Sequence, residues 1–209
     1  MGWETLIPVV IVVSASGVLS PGPLTIVTVS SGARYGRLAG PLVSTGHMFV
    51  EFPLVLAIAS GLTGVLQDKG AQSVIGALGG AALIVFGLLG ISQSLKTKSL
   101  DAPGFRTGRF KGGPFIAGLL FTGLNPFFIT WWLTVGTALI AEALALASVA
   151  GVIVMYASHI WMDYVWLTFL GVASERALGL LGSKALRYME LLLSSALVAM
   201  GAFLFLRVI

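Results

Sequence analysis

The sequence predicts an all-α membrane protein of six transmembrane helices arranged as two inverted three-helix repeats, with helices 1 and 4 broken by proline. Three observations lead there. Apolar residues make up 57% of the 209 and charged residues 10%, with a mean hydropathy of +1.00, which leaves too little polar surface to coat a water-facing globule. Apolar stretches recur at 5–31, 41–66, 73–95, 114–140, 144–171 and 187–207, each near the roughly 20 residues that cross the hydrocarbon core as a helix. Runs such as Ala81-Ala82-Leu83-Ile84-Val85-Phe86 are apolar at both parities, which excludes the alternating strands of a membrane β-barrel.

The first stretch follows Glu4 and meets no Lys or Arg before Arg34, so it reads as mature structure and not as a secretory signal. Ser20-Pro21-Gly22-Pro23 breaks it. Proline lacks an N–H and displaces the carbonyl four residues back, which frees the carbonyls of Gly17 and Leu19. Gly22 lets a ligand or a neighbouring helix approach the backbone, and the amides of a half-helix beginning past the break suit a carboxylate. The second stretch carries His47 and Glu51, one helical turn apart, and a structural kink at Pro53. In the third, Gly76, Gly79, Gly80, Gly87 and Gly90 favour close helix packing, with Gly76 and Gly80 as a small-x-x-x-small pair.

The segment 96–113 combines Pro, Gly and five basic residues and divides the chain into repeats at 1–95 and 114–209. The fourth stretch contains a second break at Leu124-Asn125-Pro126, where Pro126 frees the carbonyl of Thr122. The fifth repeats the His-x-x-x-acid spacing as His159 and Asp163. The sixth opens beside Arg187 and Glu190, which read as a paired or snorkelled interfacial charge. Three spans per half make related halves inverted across the membrane. The order of break and His/acid pair is kept in both halves, although Pro23 precedes His47 by 24 residues and Pro126 precedes His159 by 33.

Charge placement gives an orientation. Ten of the twelve Lys and Arg lie in the first, third and fifth loops: Arg34 and Arg37; Lys96, Lys98, Arg106, Arg109 and Lys111; Arg176, Lys184 and Arg187. The positive-inside rule makes those loops cytoplasmic and both termini extracytoplasmic in a multi-pass cell-membrane protein. The net charge of +4 therefore reports topology and calls for no nucleic acid. With no cysteine, disulfides and thiolate metal sites are excluded. No His-Glu-x-x-His, Gly-x-Ser-x-Gly or phosphate-binding glycine loop is present, so the chain does not read as an enzyme and no catalytic residue or cofactor is expected.

Non-helical backbone at membrane depth is tolerated where it lines a cavity, which makes Ser20, Pro21, Gly22, Pro23, Asn125 and Pro126 candidate substrate-binding residues. An acid at the bilayer centre costs about 2.5–3.5 kcal/mol, so Glu51 and Asp163 need a partner or water. His47 and His159 supply one, and imidazole beside carboxylate is the material of a proton relay. The same four residues could tie helices together or ligate a divalent metal, although no dense ligand cluster marks a resident ion. Trp131, Trp132, Trp161, Trp166 and Tyr156 carry no assigned role.

Ser20-Pro21-Gly22-Pro23, then Gly36-Arg37-Leu38-Ala39-Gly40 leading to Gly46-His47, and the Asn125-Pro126 element resemble the LysE/RhtB family of small amino-acid exporters. The resemblance covers nearly the whole chain. It implies a secondary-active exporter of amino acids or similar small metabolites, powered by an ion gradient, here expected to be protons passing through His47, Glu51, His159 and Asp163. One half is expected to rock against the other. Partners are a small-molecule solute and the lipid bilayer, and a homo-oligomer stays open. Two alternatives are a divalent metal-ion permease using the His and carboxylate ligands and a non-transport membrane scaffold.

Overall fold

The computed structural model describes residues 2–62, 68–96, 113–180 and 183–206. The basic segment 97–112, the end of the second apolar stretch at 63–66 and Arg207 lie outside the described residues, as do the side chains of Lys184 and Glu190. A chain this apolar must satisfy its backbone internally, and all its described secondary structure is helical.

Four residues separate helix α1 (Trp3–Val18) from α2 (Pro23–Tyr35), whose first helical position is a proline that needs no N–H partner. Gly36, at φ +65°, caps α2 in the left-handed region and turns the chain through a short 3₁₀ segment (Gly36–Leu38) into α3 (Ala39–Ala59). Helix α4 (Lys69–Lys96) follows. Past the linker, α5 (Gly113–Gly123) stops short of α6 (Pro126–Trp131), which again opens on proline, and a π-helical turn (Trp132–Gly136) joins α6 to α7 (Thr137–Leu180). Helix α8 (Ser183–Leu206) closes the described chain.

Helix α7 is two arms. Ala147 (φ −153°) and Ser148 (φ +52°) are non-helical, and a Cβ built on Gly151 would meet the carbonyl of Ala143, so the chain folds back at 147–148. The apolar stretches 114–140 and 144–171 put the break between the fourth and fifth spans at 141–143. The difference has a physical reason: neither Gly nor Pro marks the real turn, and Glu142 stays helical on an exposed face.

Glycines set which helices touch. Gly46 of α3 and Gly118 of α5 lie against each other's backbone: a Cβ on Gly46 would run into the Phe115 carbonyl, and one on Gly118 into that of Val43. Gly80 of α4 and Gly201 of α8 meet in the same way, with Gly87 of α4 against Ser194 and Val198. Two buried clusters result. Leu6, Val10, Val55, Ile58, Trp132, Ile140, Val152 and Met155 join α1, α3 and α7 through the π turn, while Leu83, Ala117, Phe121, Leu197 and Leu204 join α4, α5 and α8. Val12, Phe49, Val165, Phe169 and Leu192 project outward as exposed apolar side chains. Pro23–Ala59 and Pro126–Ala177 are each long and apolar enough to cross a membrane, and shorter apolar helices occupy Trp3–Val18, Gly76–Ser92, Gly113–Gly123 and Leu191–Leu206.

This packing predicts a contrast between two glycines of α5. Gly118→Ala should lower thermal stability in detergent by about 1–3 kcal/mol through overpacking. Gly123→Ala should be neutral, because its Cβ would find Val50 at an ordinary 3.6 Å. Equal melting temperatures for the two would contradict the α3/α5 contact.

Candidate functional site

The site grows from two helices that face each other. One turn separates His47 from Glu51 on α3 and His159 from Asp163 on α7, so each helix offers one imidazole and one carboxylate on a single face. The two faces meet. All four side chains are buried, Glu51 most completely at 1% exposure.

The partners cross between helices. His47 Nε2 lies 3.1 Å from Glu51 Oε1 and 3.7 Å from Asp163 Oδ1, while His159 Nε2 lies 3.2 Å from Glu51 Oε1 and 3.3 Å from Asp163 Oδ2. Only some of these approaches are aligned hydrogen bonds. His159 Nε2 bonds Glu51 Oε1, and His47 turns its Nδ1 to the Thr122 hydroxyl at 2.9 Å. His47 Nε2, His159 Nδ1 and Asp163 Oδ2 have no aligned hydrogen-bond partner among the described residues.

Glu51 is held by two further donors. Trp132 Nε1–H donates to Oε1 at 3.0 Å and the Tyr156 hydroxyl donates to Oε2 at 3.1 Å. The π turn positions the indole, with the Thr137 hydroxyl donating to the Trp132 carbonyl at 3.0 Å; a Cβ on Gly136 would run into the Trp132 ring. Aromatic rings wall the imidazoles. Trp132 meets His159 edge-on at 5.3 Å, Trp131 stacks over it at 6.0 Å and Phe128 meets His47 edge-on at 5.3 Å. Asp163 is less supported: the Ser44 hydroxyl donates to its backbone carbonyl at 3.3 Å, leaving the carboxylate to the histidines.

A cavity of about 510 Å³ opens onto this cluster. His47, Glu51, His159 and Asp163 line it together with Ser20, Pro21, Gly22, Pro23 and Asn125. Of the residues singled out in the sequence, Pro126 does not line it; the ring lies instead by Gly79 of α4, with Cδ 3.6 Å from where a Cβ there would sit. Asn125 caps α6, its side-chain oxygen accepting from the amides of Phe127 at 3.1 Å and Phe128 at 3.4 Å. No side chain caps α2, whose first turn also borders the cavity through Pro23, Leu24 and Thr25. Sequence reasoning named Trp132 and Tyr156 without a role, and Thr122 for its backbone carbonyl and not for its hydroxyl. Tyr156 precedes His159 by three residues, a spacing that already put it on the His159 face.

Ligand atoms of His47, Glu51 and Asp163 lie within 4.8 Å of one another, a spacing a metal ion could bridge. The donors on Glu51 do not suit one. Indole N–H is a donor only, and together Trp132 and Tyr156 direct hydrogens at both carboxylate oxygens.

Apolar helices with outward-facing aliphatic side chains, enclosing a cavity with a buried polar floor, define an α-helical membrane protein. The LysE type translocator family model matches residues 15–207, and the chain belongs to that family. It is a family of membrane transporters and not of enzymes, and membership points to export of amino acids or small metabolites. No curated protein and no solved structure matches the chain.

Removing a donor from buried Glu51 should be costly. Trp132→Phe and Tyr156→Phe should each destabilise the protein by about 1–3 kcal/mol, read as thermal denaturation in detergent. Each loss should shrink when Glu51→Gln is already present. Additive losses would show that the two rings do not act through Glu51.

Proposed function

We propose that the protein is a secondary-active exporter of amino acids or similar small metabolites, driven by exchange for protons. One observation carries this reading: both His/acid pairs and the chain segments at both proline sites border a single cavity. In the proposed cycle the solute occupies the cavity and the cluster of His47, Glu51, His159 and Asp163 carries the proton. The chain is read as inverted repeats, 1–95 and 114–209, joined by the linker 96–113, with both termini extracytoplasmic. Support comes from a helix ending before a proline-led helix in each half and from the convergence of the two His/acid pairs.

Packing bears on how such a transporter would move. The halves interlock through Gly46 and Gly118, which disfavours simple rocking of one half against the other. Helices α4 and α8, one from each half, pack closely on each other, and Met200 of α8 reaches the cavity wall.

In liposomes, an imposed pH gradient should drive accumulation of an amino acid by the wild-type protein. The double variant Glu51→Gln/Asp163→Asn should fall to the level of protein-free vesicles. Normal proton-coupled exchange by the double variant would overturn the relay, and gradient-driven movement of a divalent metal with no amino acid moved would overturn the solute class.

A further inference from the structure

The two acids of the cavity are not equivalent. Glu51 has donors on both oxygens: Trp132 and His159 on Oε1, Tyr156 on Oε2. Asp163 is also buried, at 6% exposure, yet its Oδ2, although 3.3 Å from His159 Nε2, has no aligned hydrogen bond among the described residues, and its Oδ1 lies 3.7 Å from His47 Nε2. A buried carboxylate oxygen left open beside a cavity is a strong acceptor awaiting a donor. Glu51 has no such vacancy.

The cavity offers a second unmet group of opposite character. The first amides of any α-helix have no intrahelical partner; in α2 Pro23 has no N–H and Ile26 bonds Gly22, which leaves the amides of Leu24 and Thr25, two residues that border the cavity, with no side chain capping them. The matching end of α6 is closed by Asn125. One free acceptor and one open set of backbone donors are the complement of a molecule with one ammonium and one carboxylate. Phe127, Phe128, Trp131 and Leu167 complete an uncharged wall. At about 510 Å³ the space falls within the roughly 300–1,000 Å³ of small-molecule sites.

We propose that Asp163 is a carboxylate shared by proton and solute: it holds the ammonium of an amino acid with an uncharged side chain, whose carboxylate rests on the open N-terminus of α2, and a proton replaces that ammonium when the solute leaves. This rests on the export reading and deepens it. Glu51, saturated by donors, positions His159 and the indole. The titratable groups around Asp163 are His47 and Glu51 from α3, and His159 and Tyr156 from its own helix. Among the described residues, α1, α2, α5 and α6 bring no titratable side chain to the cavity. One bound proton is exchanged for one bound ammonium, so occupancy by the two is exclusive. A basic amino acid carries a second cation that finds no second open acceptor, and is excluded.

The test is calorimetric titration of the purified full-length protein in detergent, in two buffers of different ionisation enthalpy, with L-leucine, L-lysine and 4-methylpentanoate, the leucine analogue without an ammonium. Leucine should bind with net proton release and bind more weakly at lower pH. Lysine and 4-methylpentanoate should bind at least about tenfold more weakly, the usual scale of a lost charged hydrogen bond. Asp163→Asn should lose the proton release and Asp163→Glu should recover part of it. The comparison of leucine with 4-methylpentanoate needs no variant and stands even where a substitution prevents folding. Equal binding of lysine, equal binding of 4-methylpentanoate, or proton release surviving in Asp163→Asn would each overturn the proposal while leaving amino-acid export intact. Failure of every amino acid to bind or move in vesicles would remove both.

Discussion

The hydrogen bonds converging on Glu51 are the constraint on which the rest of the site depends. A carboxylate with 1% exposure among apolar helices is tolerable only if its oxygens are occupied. Meeting that demand fixes three elements at once: α3, which carries Glu51; the π turn, which delivers Trp132; and the second arm of α7, which brings Tyr156 and His159. The glycine contacts that draw the helices together serve the same geometry. Gly46 and Gly118 let α5 approach α3 closely, and Thr122, one turn along α5, reaches His47.

Satisfying Glu51 so fully has a consequence for its neighbour. His159 spends its aligned hydrogen bond on Glu51, across the helix boundary, and not on Asp163 one turn along its own helix. His47 spends one on Thr122. Asp163 is left close to both rings but aligned with neither, next to the cavity. The asymmetry between two chemically similar acids thus arises from packing.

The sequence made the helical character and the membrane environment legible, because both follow from composition and from the length of apolar runs. The equal spacing of His47/Glu51 and His159/Asp163 was legible for the same reason: four residues is a helical turn wherever it occurs. Other features could not be read. The turn at Ala147 and Ser148 carries no Gly or Pro, so only the packing of Ala143 against Gly151 reveals it. The crossing of partners, His159 to Glu51 and His47 to Asp163, depends on how two distant helices dock. Trp132 is one of five tryptophans, and what distinguishes it is a π turn together with a glycine that leaves room for its ring.

Infrared difference spectroscopy of the reconstituted protein tests the central claim most directly, since the carbonyl stretch of a protonated carboxylic acid is separate from that of a carboxylate. The account predicts that adding L-leucine at a pH where the empty site holds its proton removes one protonated-carboxyl band, and that this change is absent in Asp163→Asn. A band that persists with leucine bound, or a change that disappears in Glu51→Gln and survives in Asp163→Asn, would contradict the division of roles between the two acids.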